Sequence, residues 1–76
     1  VSEKELLLEE LKEVYPDVHQ AIEEVGECWT TDEVQDEFEI LGFMAPFVTV
    51  ERRKTKEKGT LAFVHRPRVY YGWLPA

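Results

Sequence analysis

Along the first half of the chain, apolar residues return every three or four positions. Leu7, Leu11 and Val14 form such a stripe, widened by Leu8 and Tyr15, and predict a helix over about residues 3–15. Ser2, followed three positions later by Glu5, has the spacing of a capping box, in which hydroxyl and carboxylate each satisfy an orphan backbone N–H. Pro16 disfavours helical backbone at Tyr15 yet suits a first helical turn, so the chain is expected to bend there and restart. Val18, Ile22 and Val25 line the second helix, and Gly26 can terminate it. Thr30 and Glu33 repeat the capping-box spacing, with Asp32 and Glu33 at the positive end of the helix dipole. The third helix is expected to reach Leu41 and stop at Gly42, with Val34, Phe38 and Leu41 buried and Asp36, Glu37 and Glu39 outside.

After "GFMAP" the period falls to two. "FVTVERR" and "TLAFVHR" are β-branched and aromatic with a polar run between them, which predicts a hairpin. Its tip is "KTKEKG", where Gly59 is expected to take positive φ. Pro67 interrupts the second strand, and "RVYYGW" either adds a third strand or packs back over the sheet. The expected fold class is α+β: three N-terminal helices followed by an antiparallel β-hairpin or three-stranded meander. Three helices and a hairpin is also the order of a winged helix, with the hairpin as wing. No internal repeat, low-complexity segment or linker divides the 76 residues, so a single domain is expected, with an acidic helical part over 1–41 and a basic β part over 42–76.

With 43% hydrophobic and 12% aromatic residues, the composition is that of a folding chain. The net charge of -7 is unevenly divided: residues 1–41 hold fourteen acids and two bases, a net of -12, and residues 42–76 hold seven bases and two acids, a net of +5. At the hairpin tip Arg52, Arg53, Lys54, Lys56 and Lys58, less Glu51 and Glu57, leave +3. Screening acts over about 8 Å and a seven-residue strand reaches about 23 Å, so that tip can act locally as a cation.

Two readings of each pole follow. The five hairpin cations can contact a polyanion, each neutralised phosphate adding about 0.9 to the salt slope, with Tyr70, Tyr71 and Trp73 as stacking faces for unpaired bases. Alternatively, tip lysines keep a sheet edge from pairing with other chains and the aromatics complete a small core. In a winged helix the third helix enters the major groove, but here it presents Asp32, Asp36, Glu37 and Glu39, which phosphates repel; only the hairpin could then touch nucleic acid. Those four carboxylates, with Glu3, Glu9, Glu10, Glu13, Glu23, Glu24 and Glu27, suit a basic partner protein; the alternative is an ordinary solvated helix face. Like charges at i and i+4, such as Asp32 with Asp36 and Glu33 with Glu37, cost stability.

Candidate chemistry is sparse. Cys28 with His19 or His65 is the sole material for a nucleophile and base, and Cys28 beside Trp29 is expected to be a buried or half-buried thiol. His65, at the end of an apolar strand, is expected to be a core histidine. The spacing of these residues is not that of zinc ligands, and no glycine-rich phosphate loop is present. A non-enzymatic protein without metal or cofactor is expected. One cysteine precludes an intrachain disulfide and points to a reducing cytoplasm. No apolar run approaches a membrane span and the first residues are acidic where a secretory signal is basic. A soluble chain, unprocessed apart from loss of an initiator Met and without a membrane partner, is therefore expected. "GFMAPF" is the most apolar loop. It is expected to be buried, but uncovered by the first helix Phe43, Met44 and Phe47 would form an adaptable partner patch.

"GFMAPFVTVERR", "GTLAFVHRPR" and the paired aromatics that follow, within Asp36 to Trp73 or about half the chain, resemble small uncharacterised proteins of tailed bacteriophages, including cyanophages. The resemblance implies a bacterial host cytoplasm during infection, where short acidic proteins bind host machinery. It carries no activity or catalytic residues. The leading expectation is an interaction protein that docks on a basic host or phage partner through Asp32, Asp36, Glu37 and Glu39. The alternatives are a nucleic-acid-binding module using Arg52, Arg53, Lys54, Lys56 and Lys58, and a structural homo-oligomer joining acid face to basic hairpin. The state expected is a monomer or weak homodimer.

Overall fold

Residues 2–76 are described by a computed structural model. Ser2 Oγ accepts the Glu5 N–H at 3.2 Å and opens helix α1, Glu3–Val14. Pro16 starts helix α2, Pro16–Val25, and Gly26 ends it at φ 83°, its N–H donating to the Ile22 carbonyl at 2.7 Å. A two-residue strand β1, Cys28–Trp29, precedes helix α3, Thr31–Glu37, whose capping box is complete: Thr30 Oγ1 accepts from Glu33 N–H at 3.2 Å and the Glu33 carboxylate accepts from Thr30 N–H at 3.0 Å.

Helix α3 ends at Glu37, short of the expected Leu41, and Gly42 is no helix stop. From Phe38 the backbone is extended and forms β2, Phe38–Met44. Val34 and Phe38 satisfy the helical period, but Phe38 and Ile40 also satisfy a period of two, and pairing with β3, Phe47–Arg52, buries them that way. Electrostatics agree. With Asp36 and Glu37 in its last turn and no base there, α3 gains nothing from a further turn.

Strands β4, Lys58–Val64, and β5, Val69–Pro75, complete an antiparallel sheet of order β1-β5-β4-β3-β2. The sheet has five strands, more than the hairpin or meander expected. The basic hairpin β3–β4 occupies its middle, flanked by β2 and β5, and is not a projecting wing. Register shifts at Ile40/Gly42 in β2 and at Thr60/Ala62 against β5, where Gly72 has φ 69°, add twist and bend. Side chains from the two edge strands meet in the core: Trp29 of β1 meets Phe38 of β2 edge to face, ring centroids 5.4 Å apart, and α3 connects the two strands.

The concave face encloses the main core of Trp29, Val34, Phe38, Val48, Val50, Leu61, Phe63 and Tyr70. Alternation puts Val69 and Val64 on the convex face, where Leu11 and Ile22 of the α1–α2 hairpin cover them, with Cys28 and Tyr71 alongside. Tyr15 Oη donates to the His65 carbonyl at 2.9 Å, tying the helical hairpin to the β4–β5 turn. His65 itself is exposed, against expectation, its ring set edge-on to Phe63. Val14 and Val25 also face solvent, because the helices cover only the β5 side of the sheet.

Gly59 serves a different need from the one expected. It lies within β4, and the positive φ at the hairpin tip belongs to Lys56, at 64°. A Cβ on Gly59 would stand 2.5 Å from both the Trp73 ring and the Leu74 carbonyl oxygen. Glycine is required there by the close approach of Trp73.

Candidate functional site

On α1, Glu5, Glu9, Glu10 and Glu13 project from the side opposite Leu7, Leu8 and Leu11, because 100° per residue separates the two sets. Asp17, Glu23 and Glu24 of α2 and Glu27 after it continue the acidic surface, and all but Glu23 lack a basic partner within 4.0 Å among the described residues. Glu23 lies 3.5 Å from His19. Lys4 is engaged elsewhere: its Nζ donates to the Cys28 carbonyl at 3.1 Å and lies 3.1 Å from the Glu33 carboxylate, joining α1 to β1 and α3.

The four acids expected at the centre of a docking face are not equivalent. Asp32 and Asp36 are exposed on α3. Glu37 accepts the Trp29 indole N–H at 2.6 Å and so ties the end of α3 to β1. Glu39 is not helical: it lies on β2, paired across the strands with Glu51. Glu37 and Glu39 both stay exposed, but the larger number of carboxylates without a structural contact lies on α1 and α2, with Asp32 and Asp36 on α3. The Glu33 carboxyl is held below its ordinary value, first by the Thr30 backbone N–H and then, against a smaller opposing effect of burial, by Lys4.

The five hairpin cations also divide. Arg52 points into the concave face, its guanidinium carbon 4.5 Å from the Trp73 ring centroid and 5.2 Å from that of Phe38, with Glu57 3.9 Å away. Arg53 caps α3: its Nε donates to the Gln35 carbonyl at 3.1 Å and its backbone N–H to the Glu37 carbonyl at 2.9 Å. A helix with no base of its own in the last turn thus receives one from the hairpin. Lys54, Lys56 and Lys58 remain exposed, with no carboxylate within 4.0 Å among the described residues. Acidic and basic groups meet where Asp36 and Glu37 line a recess of about 260 Å³ with Arg52, Arg53 and Lys54. The expected stacking faces are not free: Tyr70 is buried beside Phe63, Tyr71 packs under the helices, and Trp73 carries Arg52.

A larger groove of about 540 Å³ separates the helical hairpin from the sheet, lined by Lys4, Glu27, Cys28, Trp29, Glu37 and Arg52. Its cations are committed to the contacts above. Burial pushes the Cys28 thiol up, and the nearby Lys4 only partly offsets this, so at neutral pH it is a poor source of thiolate. Among the described residues no group of three or more His, Cys, Asp and Glu side chains could hold a metal ion. No helix among them is long and apolar enough to cross a membrane.

"GFMAPF" is not buried as expected. It forms the end of β2 and the turn into β3, beyond the reach of the helices, which leaves Phe43, Met44 and Phe47 exposed. Their apolar character was legible, but their exposure depended on which side of the sheet α1 would cover. No known protein family, curated protein or solved structure matches the chain.

Proposed function

We propose that this chain is a small interaction protein, without catalytic activity of its own, that binds a basic partner protein through the carboxylates of α1 and α2, with Asp32 and Asp36 extending the surface. The resemblance to tailed-phage proteins supports a bacterial cytoplasm during infection as its setting. One observation carries the reading: in a 76-residue fold that uses Lys4, Arg52 and Arg53 for its own architecture, the carboxylates of α1 have no basic partner within 4.0 Å among the described residues. Such a surface attracts a cationic protein from a distance and releases it as salt rises.

The test replaces Glu9, Glu10 and Glu13 by Gln and compares capture of proteins from a bacterial lysate at low and high salt. Wild type is expected to retain basic proteins at low salt that the triple variant does not. An identical captured set for both proteins overturns the reading.

A second reading, nucleic-acid contact at the hairpin tip, is favoured by one observation, the exposure of Lys54, Lys56 and Lys58 without acidic partners. Three lysines limit the salt slope on duplex DNA to about 3, and Tyr70, Tyr71 and Trp73 are engaged in the fold and add no stacking energy. Absence of an oligonucleotide shift at low salt rejects it.

A further inference from the structure

Strand β2 ends the sheet and is paired on one side only, through six of its seven residues. Natural sheet edges are usually blunted by charge, proline or brevity. At the other end of the sheet, β1 is only two residues long. The β2 edge lacks these protections along most of its length: residues 40–50 form an eleven-residue stretch without an ionisable side chain, the longest in a chain that is 33% charged. The lysines sit instead at the β3–β4 tip. The bulge at Leu41 leaves residues 42–44 in regular register.

The β2 edge and the start of the neighbouring β3 concentrate exposed apolar surface. Leu41 is 48% exposed, Phe43 60%, Met44 77% and Phe47 47%, four of the eight large apolar side chains exposed among the described residues. With a large side chain presenting about 150–250 Å², the four leave on the order of 400–500 Å² per copy, or nearly the ~1,000 Å² a specific interface needs once two copies are counted.

We propose that β2 pairs antiparallel with β2 of a second copy, about a two-fold axis at Phe43, to form a continuous ten-stranded sheet. A two-fold makes the patch its own complement. Phe43 then faces its counterpart on the concave side. On the convex side Met44 of each copy lies over Gly42 of the other, where a Cβ would meet nothing within 4 Å and the space is open. Antiparallel pairing in this register holds the two Glu39 carboxylates about 27 Å apart, well beyond the screening length of about 8 Å. The interface is apolar and hydrogen-bonded, whereas the acidic surface of α1–α2 lies outside it, so either can fail without the other.

Sedimentation velocity from micromolar to near-millimolar concentration tests the pairing. The mass is expected to rise from 8.9 kDa towards twice that value, and salt should leave it unchanged or favour the dimer by screening the -7 carried by each copy. Met44→Lys and Phe43→Lys, both at exposed positions, should weaken association at least about tenfold with unchanged circular dichroism. In wild type, exchange protection of amides 40–44 should grow with concentration. A monomer throughout overturns the proposal. So does an association that dissolves as salt rises, which is the signature of acid face joined to basic hairpin, or a dimer indifferent to both lysine variants.

Discussion

The α1–α2 hairpin and the β3–β4 hairpin carry opposite charges and use them differently. In the β-hairpin, Arg52 and Arg53 are structural: one lies on Trp73 and Phe38, the other closes the C-terminal end of α3. In the helical hairpin the carboxylates of α1 touch no base among the described residues, and the sole engaged cation, Lys4, ties α1 to the rest of the fold. Formal charge is therefore a poor guide to available charge. Five cations at the hairpin tip reduce to three lysines without structural duties for a polyanion to meet, whereas the acidic surface is almost wholly accessible.

The largest expected effect tests how rigidly the arginine is held. Gly59→Val puts a branched side chain where a Cβ already comes within 2.5 Å of the Trp73 ring and the Leu74 carbonyl. It should destabilise by about 2–3 kcal/mol in urea unfolding, because neither backbone nor packed indole can retreat cheaply. Wild-type stability would mean that Trp73 is loosely placed and that Arg52 is free to serve as a surface cation after all.

Arg52→Ala comes next. Loss of the cation–π contacts and of the stem's packing should cost about 1–2 kcal/mol, whereas Lys54→Ser, Lys56→Ser and Lys58→Ser should each stay within about 0.5 kcal/mol. Equal costs for Arg52 and the lysines in thermal unfolding would erase the division within the β-hairpin.

Glu33 sharpens the contrast from the acidic side, since it is a carboxylate the fold uses. Its folded value lies below its unfolded one, so its stabilising contribution is fully present above the unfolded value and is lost as pH falls through the folded value. Glu33→Ala should cost about 1 kcal/mol at neutral pH through loss of the capping box, and wild type and variant should converge as both are acidified. A gap in unfolding midpoint that persists unchanged into strong acid would show that the carboxylate charge is not what is lost.

Much of this architecture is legible in local pattern: both N-caps, the Pro16 restart, the Gly26 stop and the alternating strand that begins at Phe47 all depend on neighbours within about four residues. What was not legible depends on distant partners. Residues 38–41 fit a helix until β3 is available to pair with them. Cys28–Trp29 is too short to read as a strand without Tyr70 and Tyr71 opposite. The role of Gly59 is written in Trp73, far along the chain, and that of Arg53 in the open end of α3. The acidic character of the candidate surface was readable. The different settings of Glu37 and Glu39 were not, because they depend on the Trp29 contact and the early end of α3.

The smallest effect has the opposite sign. Glu13 lies in the last turn of α1, at the negative end of the helix dipole, with Glu9 four residues and Glu10 three residues before it. Glu13→Lys relieves both repulsions, gives Glu9 a favourably oriented cation one turn further along and should raise stability by about 0.5 kcal/mol, an increment that shrinks as salt is added. The same substitution should weaken capture of a basic partner. Folding strengthened while binding falls is the pattern of a residue kept for recognition at a cost to the fold, and a solvated face without a partner would show only the first change. If Glu13→Lys stabilises the protein and leaves capture at low salt intact, the contrast between the two hairpins survives as a fact of architecture, but its link to partner binding through α1 does not.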